Sequence, residues 1–171
     1  MNLRQSLLRE HSKANALAIT RQILTGVFTF EELWELIRNG DPPLPQRASW
    51  VLDTVTAEAP DSLQPYLPEA VSLLLQPNHN AVHRNLLKAL ERAAIREEFQ
   101  GELYDFCINA LLNPKALPAI QAFSMSLASK IADGIPELQE ELALVIESQM
   151  EFNTAAYKAR GRRILSILRK S

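Results

Sequence analysis

Apolar residues recur along this chain at intervals of three and four, in runs separated by short polar breaks. Val82, Leu86, Ala89, Leu90 and Ala93 form one stripe; Ala48, Val51, Leu52 and Val55 form another; Leu138, Leu142, Val145 and Ile146 form a third. Such spacing puts apolar side chains on one face of a helix. No segment alternates apolar and polar positions with period two, so no strand is predicted. The pattern predicts ten helices, over 2–10, 12–25, 28–38, 44–58, 62–76, 79–95, 98–112, 116–132, 135–149 and 153–170. The breaks carry helix stops and starts, including Asn39-Gly40-Asp41-Pro42-Pro43, Gln76-Pro77-Asn78, Asn113-Pro114-Lys115 and Phe152-Asn153-Thr154. Proline cannot continue a helix, and Asn, Asp or Thr can cap the next one. Loops this short turn neighbouring helices antiparallel, giving five pairs. The first helix of each pair is called A here and the second B.

The pairs repeat. Arg47, Arg84, Gln121 and Lys158 stand 37 residues apart, each opening a B helix rich in Ala and Leu. Leu74, Leu75 and Pro77 recur at the same interval as Leu111, Leu112 and Pro114. A fixed period of this length marks a solenoid, in which each unit buries its apolar face against its neighbours.

Helix pairs with a Pro-bearing turn and a cation early in the second helix resemble HEAT repeats; the Trp, Gly and Tyr pattern of tetratricopeptides is absent. Gln46-Arg47-Ala48-Ser49-Trp50, Val82-His83-Arg84-Asn85, Phe123-Ser124-Met125 and Lys158-Ala159-Arg160-Gly161 further resemble a family of small HEAT-like bacterial proteins, some of them labelled adenylosuccinate lyase. That lyase is a far longer helical tetramer with a Met-Pro-Lys-Asn loop, which Ser124-Met125-Ser126 does not continue, so lyase activity is not expected. The resemblance implies an all-α, right-handed α-α superhelix of about five hairpins, one domain over 1–171, with the B helices lining the concave side.

Composition fits this reading. Hydrophobic residues make up 47% of the chain and charged residues 22%, the balance of a folded globular protein. The lone Cys107 rules out an internal disulfide and falls in an apolar stripe, so it is expected to be a buried small hydrophobe rather than a nucleophile. Neither a signal-length apolar segment at the N-terminus nor a membrane-length one elsewhere is evident, and a cytoplasmic location is expected.

Net charge is only −2, which gives no global attraction to nucleic acid. The distribution is more informative. The A segments with their turns (1–10, 27–42, 60–77, 97–114, 133–151) total −14, and the B segments between them total +12. Arg84, Lys88 and Arg92 form a ridge at i, i+4 and i+8. Lys158, Arg162 and Arg169 form a second row, with Arg160, Arg163 and Lys170 beside it. A one-signed groove attracts acidic partners more strongly than net charge suggests; alternatively, the cations simply pair with neighbouring A helices or complement helix dipoles.

Few chemical constellations emerge. His79 and His83 have a metal-compatible spacing, but no metalloprotease Glu lies between them and His11 is far away, so no metal is expected. Trp50 with Asp53 resembles the aromatic and carboxylate pair of HEAT-like DNA-alkylation-repair glycosylases, although no second aromatic completes a cradle; Trp34 is expected to pack between helices. Gly161 sits inside a helix, where close packing explains it better than a ligand. With no nucleophile, base or phosphate loop in view, the sequence points to a non-catalytic binding module without cofactors. Its expected partner is an acidic protein or peptide segment, engaged through Arg47, Trp50, Arg84, Lys88, Arg92, Lys158 and Arg162. Nucleic acid is the alternative partner. Oligomerisation through Leu3, Leu7 and Leu8 is a third reading, and the chain is expected to be a monomer or weak dimer.

Overall fold

A computed structural model describes residues 1–170. It contains ten α-helices: α1 (Leu3–Arg9), α2 (Lys13–Leu24), α3 (Phe30–Asn39), α4 (Leu44–Glu58), α5 (Leu67–Leu75), α6 (Asn80–Arg92), α7 (Glu97–Leu112), α8 (Pro118–Ala132), α9 (Pro136–Met150) and α10 (Ala155–Leu168). No strand occurs among the described residues.

Helix starts follow local chemistry. Asn2 and Gln5 form a capping box on α1, and Thr29 and Glu32 form one on α3. Ser12 and Thr154 cap α2 and α10 through their hydroxyls. Proline occupies the first turn of α4, α5, α8 and α9, where its missing N–H costs no hydrogen bond. One predicted helix is divided. The 62–76 segment is a 3₁₀ turn over Pro60–Tyr66 followed by α5. Pro65 and Pro68 each remove a backbone donor, so one α-helical hydrogen-bond ladder cannot run through both.

The fold comprises two compact units, Met1–Ala94 and Ile95–Ser171. In the first, α4 is central and packs on α1, α2, α3 and α6. Leu33, Trp34, Leu44, Leu52, Leu63, Leu67, Leu74 and Leu86 are fully or almost fully buried there. Leu3 and Leu7 also belong to this core, while Leu8 stays exposed, so two of the three leucines read as a dimer contact are used internally. In the second unit α8 packs on α7, α9 and α10 around Leu103, Cys107, Leu111, Met125, Leu142, Ile146 and Tyr157. Burying one such side chain contributes about 1.5–3 kcal/mol, more than most surface ion pairs, so these seams hold the hairpins together.

Equivalent helices are also joined by polar contacts at the repeat offset. Trp34 Nε1 donates to Glu69 Oε2 at 2.8 Å, 35 residues on. Asn85 Nδ2 donates to Ser49 Oγ at 3.0 Å across 36 residues, and Tyr104 OH to the Leu138 carbonyl at 3.0 Å across 34. Thr20 and Thr54 share a short hydrogen bond across 34 residues. Within each unit the period read from the sequence is therefore a spatial step: one repeat along the chain is one helix sideways in the same layer.

Gly161 fits this packing. A Cβ built there lies 2.6 Å from Met150 Sδ and 3.1 Å from Ile146 Cγ2, both on α9. The glycine admits a close approach of α9 to α10, as the sequence suggested. Gly161→Leu is expected to pry the hairpin apart and cost about 1–3 kcal/mol. An unchanged urea midpoint would contradict the contact.

Candidate functional site

The B helices of each unit present different chemistry. In the first unit, Asp53 on α4 organises the surface. Its side chain is almost fully buried, 8% exposed by residue. Lys88 Nζ on α6 donates to Oδ2 at 2.6 Å, and Arg92 Nη1 donates to Oδ1 and to the Asp53 carbonyl, each at 2.8 Å. Arg92 also reaches Thr56 Oγ1 at 3.2 Å. A buried carboxylate is costly to leave unpaired, and two cations satisfy this one. Lys88 and Arg92 thus hold α6 to α4 as well as contributing charge.

Arg47 is similarly engaged. Its Nη1 donates to the carbonyls of Leu7 and Leu8, at 3.0 and 3.2 Å. These are among the last carbonyls of α1, which have no partner within the helix. Trp50 is half-buried with its ring edge-on to His11, centroids 5.2 Å apart. Neither feature resembles an open base-stacking platform beside a free carboxylate, because both Asp53 oxygens are already hydrogen-bonded. Arg84 projects from α6, exposed and in no ion pair among the described residues. Of the five first-unit residues read as a binding face, Arg84 is the one cation with no ion pair or hydrogen bond among the described residues, and Trp50 is a partly exposed aromatic.

The histidines have local roles. His79 caps α6, its Nδ1 accepting from the Ala81 N–H at 3.0 Å. His83 is half-buried, with Nε2 2.8 Å from the Gln76 carbonyl at the end of α5. No group of three metal-ligating side chains occurs among the described residues. Cys107 is fully buried; loss of solvent pushes its thiol up to about 12, partly offset by the Ser124 hydroxyl. A thiol held neutral in this way is not a nucleophile near neutral pH.

The B helices of the second unit are simpler and more basic. Residues 115–132 and 152–170, which include α8 and α10, contain no Asp or Glu. Helix α10 carries Lys158, Arg160, Arg162 and Arg163 in 14 residues. Tyr157, Gly161, Ile164 and Leu168 make its buried stripe. At about 100° per residue the cations fall on opposite flanks of that stripe. Lys158 and Arg162 share one flank with Arg169, which pairs with Glu140 at 3.3 Å and, more closely, with Glu147, both on α9. Arg160 and Arg163 share the other, facing α8. Arg160 Nη1 donates to Ser126 Oγ on α8 at 2.6 Å, and its guanidinium lies 5.5 Å from the Phe123 ring centroid. Lys158, Arg162 and Arg163 make no ion pair among the described residues.

The sequence therefore located the basic helix but favoured one of its two flanks. Arg160 and Arg163 lay beside the chosen row in the sequence. The signal for them was available: Ser126 precedes Arg160 by 34 residues, the offset at which neighbouring B helices touch.

No helix among the described residues is long and apolar enough to cross a membrane. The chain matches no curated protein and no solved structure. A family model described as HEAT repeat domain matches residues 3–168. That span takes in all ten helices, and the chain belongs to the HEAT repeat domain family.

Proposed function

We propose that this protein is a non-catalytic protein-interaction module that takes an acidic segment of its partner on the exposed basic surface of α10 in its second unit. HEAT repeats are commonly protein-interaction modules. The observation that carries the finer reading is the absence of Asp and Glu from α8 and α10, with Lys158, Arg162 and Arg163 in no ion pair among the described residues. Cations that are not taken up in ion pairs keep their field for an incoming partner, and that field speeds encounter and selects its sign. In the first unit, Arg47, Lys88 and Arg92 are held in place by hydrogen bonds within the fold, and Arg84 makes no ion pair among the described residues.

A fluorescein-labelled Glu/Asp-rich peptide followed by anisotropy tests the reading. The wild-type chain is expected to bind, more weakly as salt rises. The Lys158→Glu, Arg162→Glu, Arg163→Glu triple variant is expected to lose at least about tenfold in affinity, since like charges then face the peptide. No binding by the wild-type chain would overturn the reading. Tighter binding of duplex DNA than of peptide at the same salt would replace it with nucleic-acid recognition.

A further inference from the structure

The last two helices carry opposite charge at matching positions. Helix α9 contains four glutamates and no cation, and α10 four cations and no carboxylate. On α9, Glu140, Leu144, Glu147 and the C-cap Glu151 fall at i, i+4, i+7 and i+11 and form one exposed ridge. On α10, Lys158, Arg162, Leu165 and Arg169 repeat that spacing, on the flank opposite the one from which Arg160 bonds to α8. Arg169 joins the ridges through Glu140, at 3.3 Å, and Glu147. The helices run antiparallel, and a Cβ at Gly161 would meet Ile146 and Met150, so Gly161 stands level with the turn between those two. In that register Arg169 is level with Glu140, Leu165 with Leu144, Arg162 with Glu147, and Lys158 with Glu151. Lys158 and Arg162 nevertheless make no ion pair among the described residues, and Leu144 is 55% exposed.

Resting on the acidic-partner reading above, we propose that the acidic segment taken by α10 is α9 of a second copy of this chain, in a two-fold dimer of α9/α10 hairpins. A two-fold axis parallel to the helices keeps every residue at its level and exchanges the two sides. The α9 ridge of one copy then lies antiparallel on the α10 ridge of the other, and the reverse contact forms with it. Glu140, Glu147 and Glu151 of one copy face Arg169, Arg162 and Lys158 of the other. Leu144 meets Leu165 between them, and each contact occurs twice. A two-fold axis across the helices would instead set α9 on α9 and α10 on α10, which like charge opposes. Exposed ion pairs are individually weak and screened by salt, so the dimer is weak and salt-sensitive. The leucine pair gives the contact an apolar centre inside a charged rim.

Sedimentation equilibrium with charge-reversed variants tests this. At low salt the wild-type mass is expected to rise from monomer toward dimer with concentration, and the rise to vanish at about 1 M salt, where the screening length is about 3 Å. The double variant Lys158→Glu, Arg162→Glu is expected to stay monomeric, and so is Glu147→Lys, Glu151→Lys. An equimolar mixture of the two is expected to recover the dimer, because each reversed ridge then faces its opposite in both contacts. Ion pairs confined to a single hairpin cannot be restored by mixing. Leu144→Ser, at an exposed position, is expected to weaken association at least about fivefold. Circular dichroism checks that each variant folds; should a charge-reversed variant fail to, Leu144→Ser and the wild-type salt series decide. A wild-type chain that is monomeric at every concentration would overturn the dimer. So would a mixture of folded variants that stays monomeric, or wild-type association by Leu144→Ser. If the monomeric chain still binds the Glu/Asp-rich peptide, the acidic-partner reading stands and only the second copy is excluded. If it binds no peptide either, both fall.

Discussion

Trp34→Ala is expected to destabilise the first unit by about 3–5 kcal/mol, the usual range for removing a large buried aromatic. Trp34 is 1% exposed, the largest of the fully buried side chains. Its ring lies 5.6 Å from Tyr66, which in turn lies 5.4 Å from Phe30, so α3 and the 3₁₀ turn meet through three aromatics. Its indole N–H donates to Glu69, and Arg38 donates to the same carboxylate oxygen at 2.9 Å. Alanine would leave a cavity between successive A helices and cut the indole's tie from α3 to α5. Trp34→Phe separates the two effects. It keeps an aromatic ring and gives up the N–H, a net loss of about 1 kcal/mol for the hydrogen bond, plus some packing. Urea denaturation followed by circular dichroism measures both. A loss below about 1 kcal/mol for Trp34→Ala would show that Trp34 is not central to the A layer.

The same region shows where a sequence stops being readable. Trp34 was expected to pack between helices, and it does, because a tryptophan amid Leu33 and Ile37 at helical spacing has one apolar face to join. The ten helices were legible for the same reason: their stripes are long, and eight of them start at an Asn, Ser or Thr cap or with a first-turn Pro. The 3₁₀ turn was not, because Leu63 and Leu67 keep helical spacing while Pro65 and Pro68 interrupt only the hydrogen bonds. Charge was legible as a total per helix but not as a pairing. Arg84, Lys88 and Arg92 make one ridge on paper. In the fold, Lys88 and Arg92 bend to a single aspartate 35 and 39 residues earlier, and Arg84 does not. Which cation meets a carboxylate depends on side-chain reach across neighbouring helices. Helical period fixes only the flank from which each begins.

The second unit is expected to lose stability steeply in alkali, before the first unit's titrations would require it. Cys107 is fully buried, and burial raises its thiol from an ordinary 9.0 to about 12. Burial likewise raises Tyr157 from 10.0 to about 12, and raises Tyr104 further, helped by Glu141 beside it. All three are neutral acids whose charged form is disfavoured inside the fold. Below pH 9 both folded and unfolded chains keep these protons, and the groups add no pH dependence. Between about pH 9 and 12 the unfolded chain releases them and the folded chain does not, so stability falls as pH rises, at about 1.4 kcal/mol per pH unit for each group. Several kcal/mol is comparable with the whole stability of a small unit. Tyr66 in the first unit is raised chiefly by burial, then by Glu31 and Glu69, but sits near the surface and can ionise with the fold intact. Tyrosinate absorbance should therefore appear in two stages: one tyrosine ionising at constant helicity, then two more together with the loss of helix. Thiol reagents should label Cys107 only in that second stage. Three tyrosines titrating independently while helicity holds would show that α7, α9 and α10 do not bury these groups as tightly as the packing around Tyr104, Cys107 and Tyr157 requires.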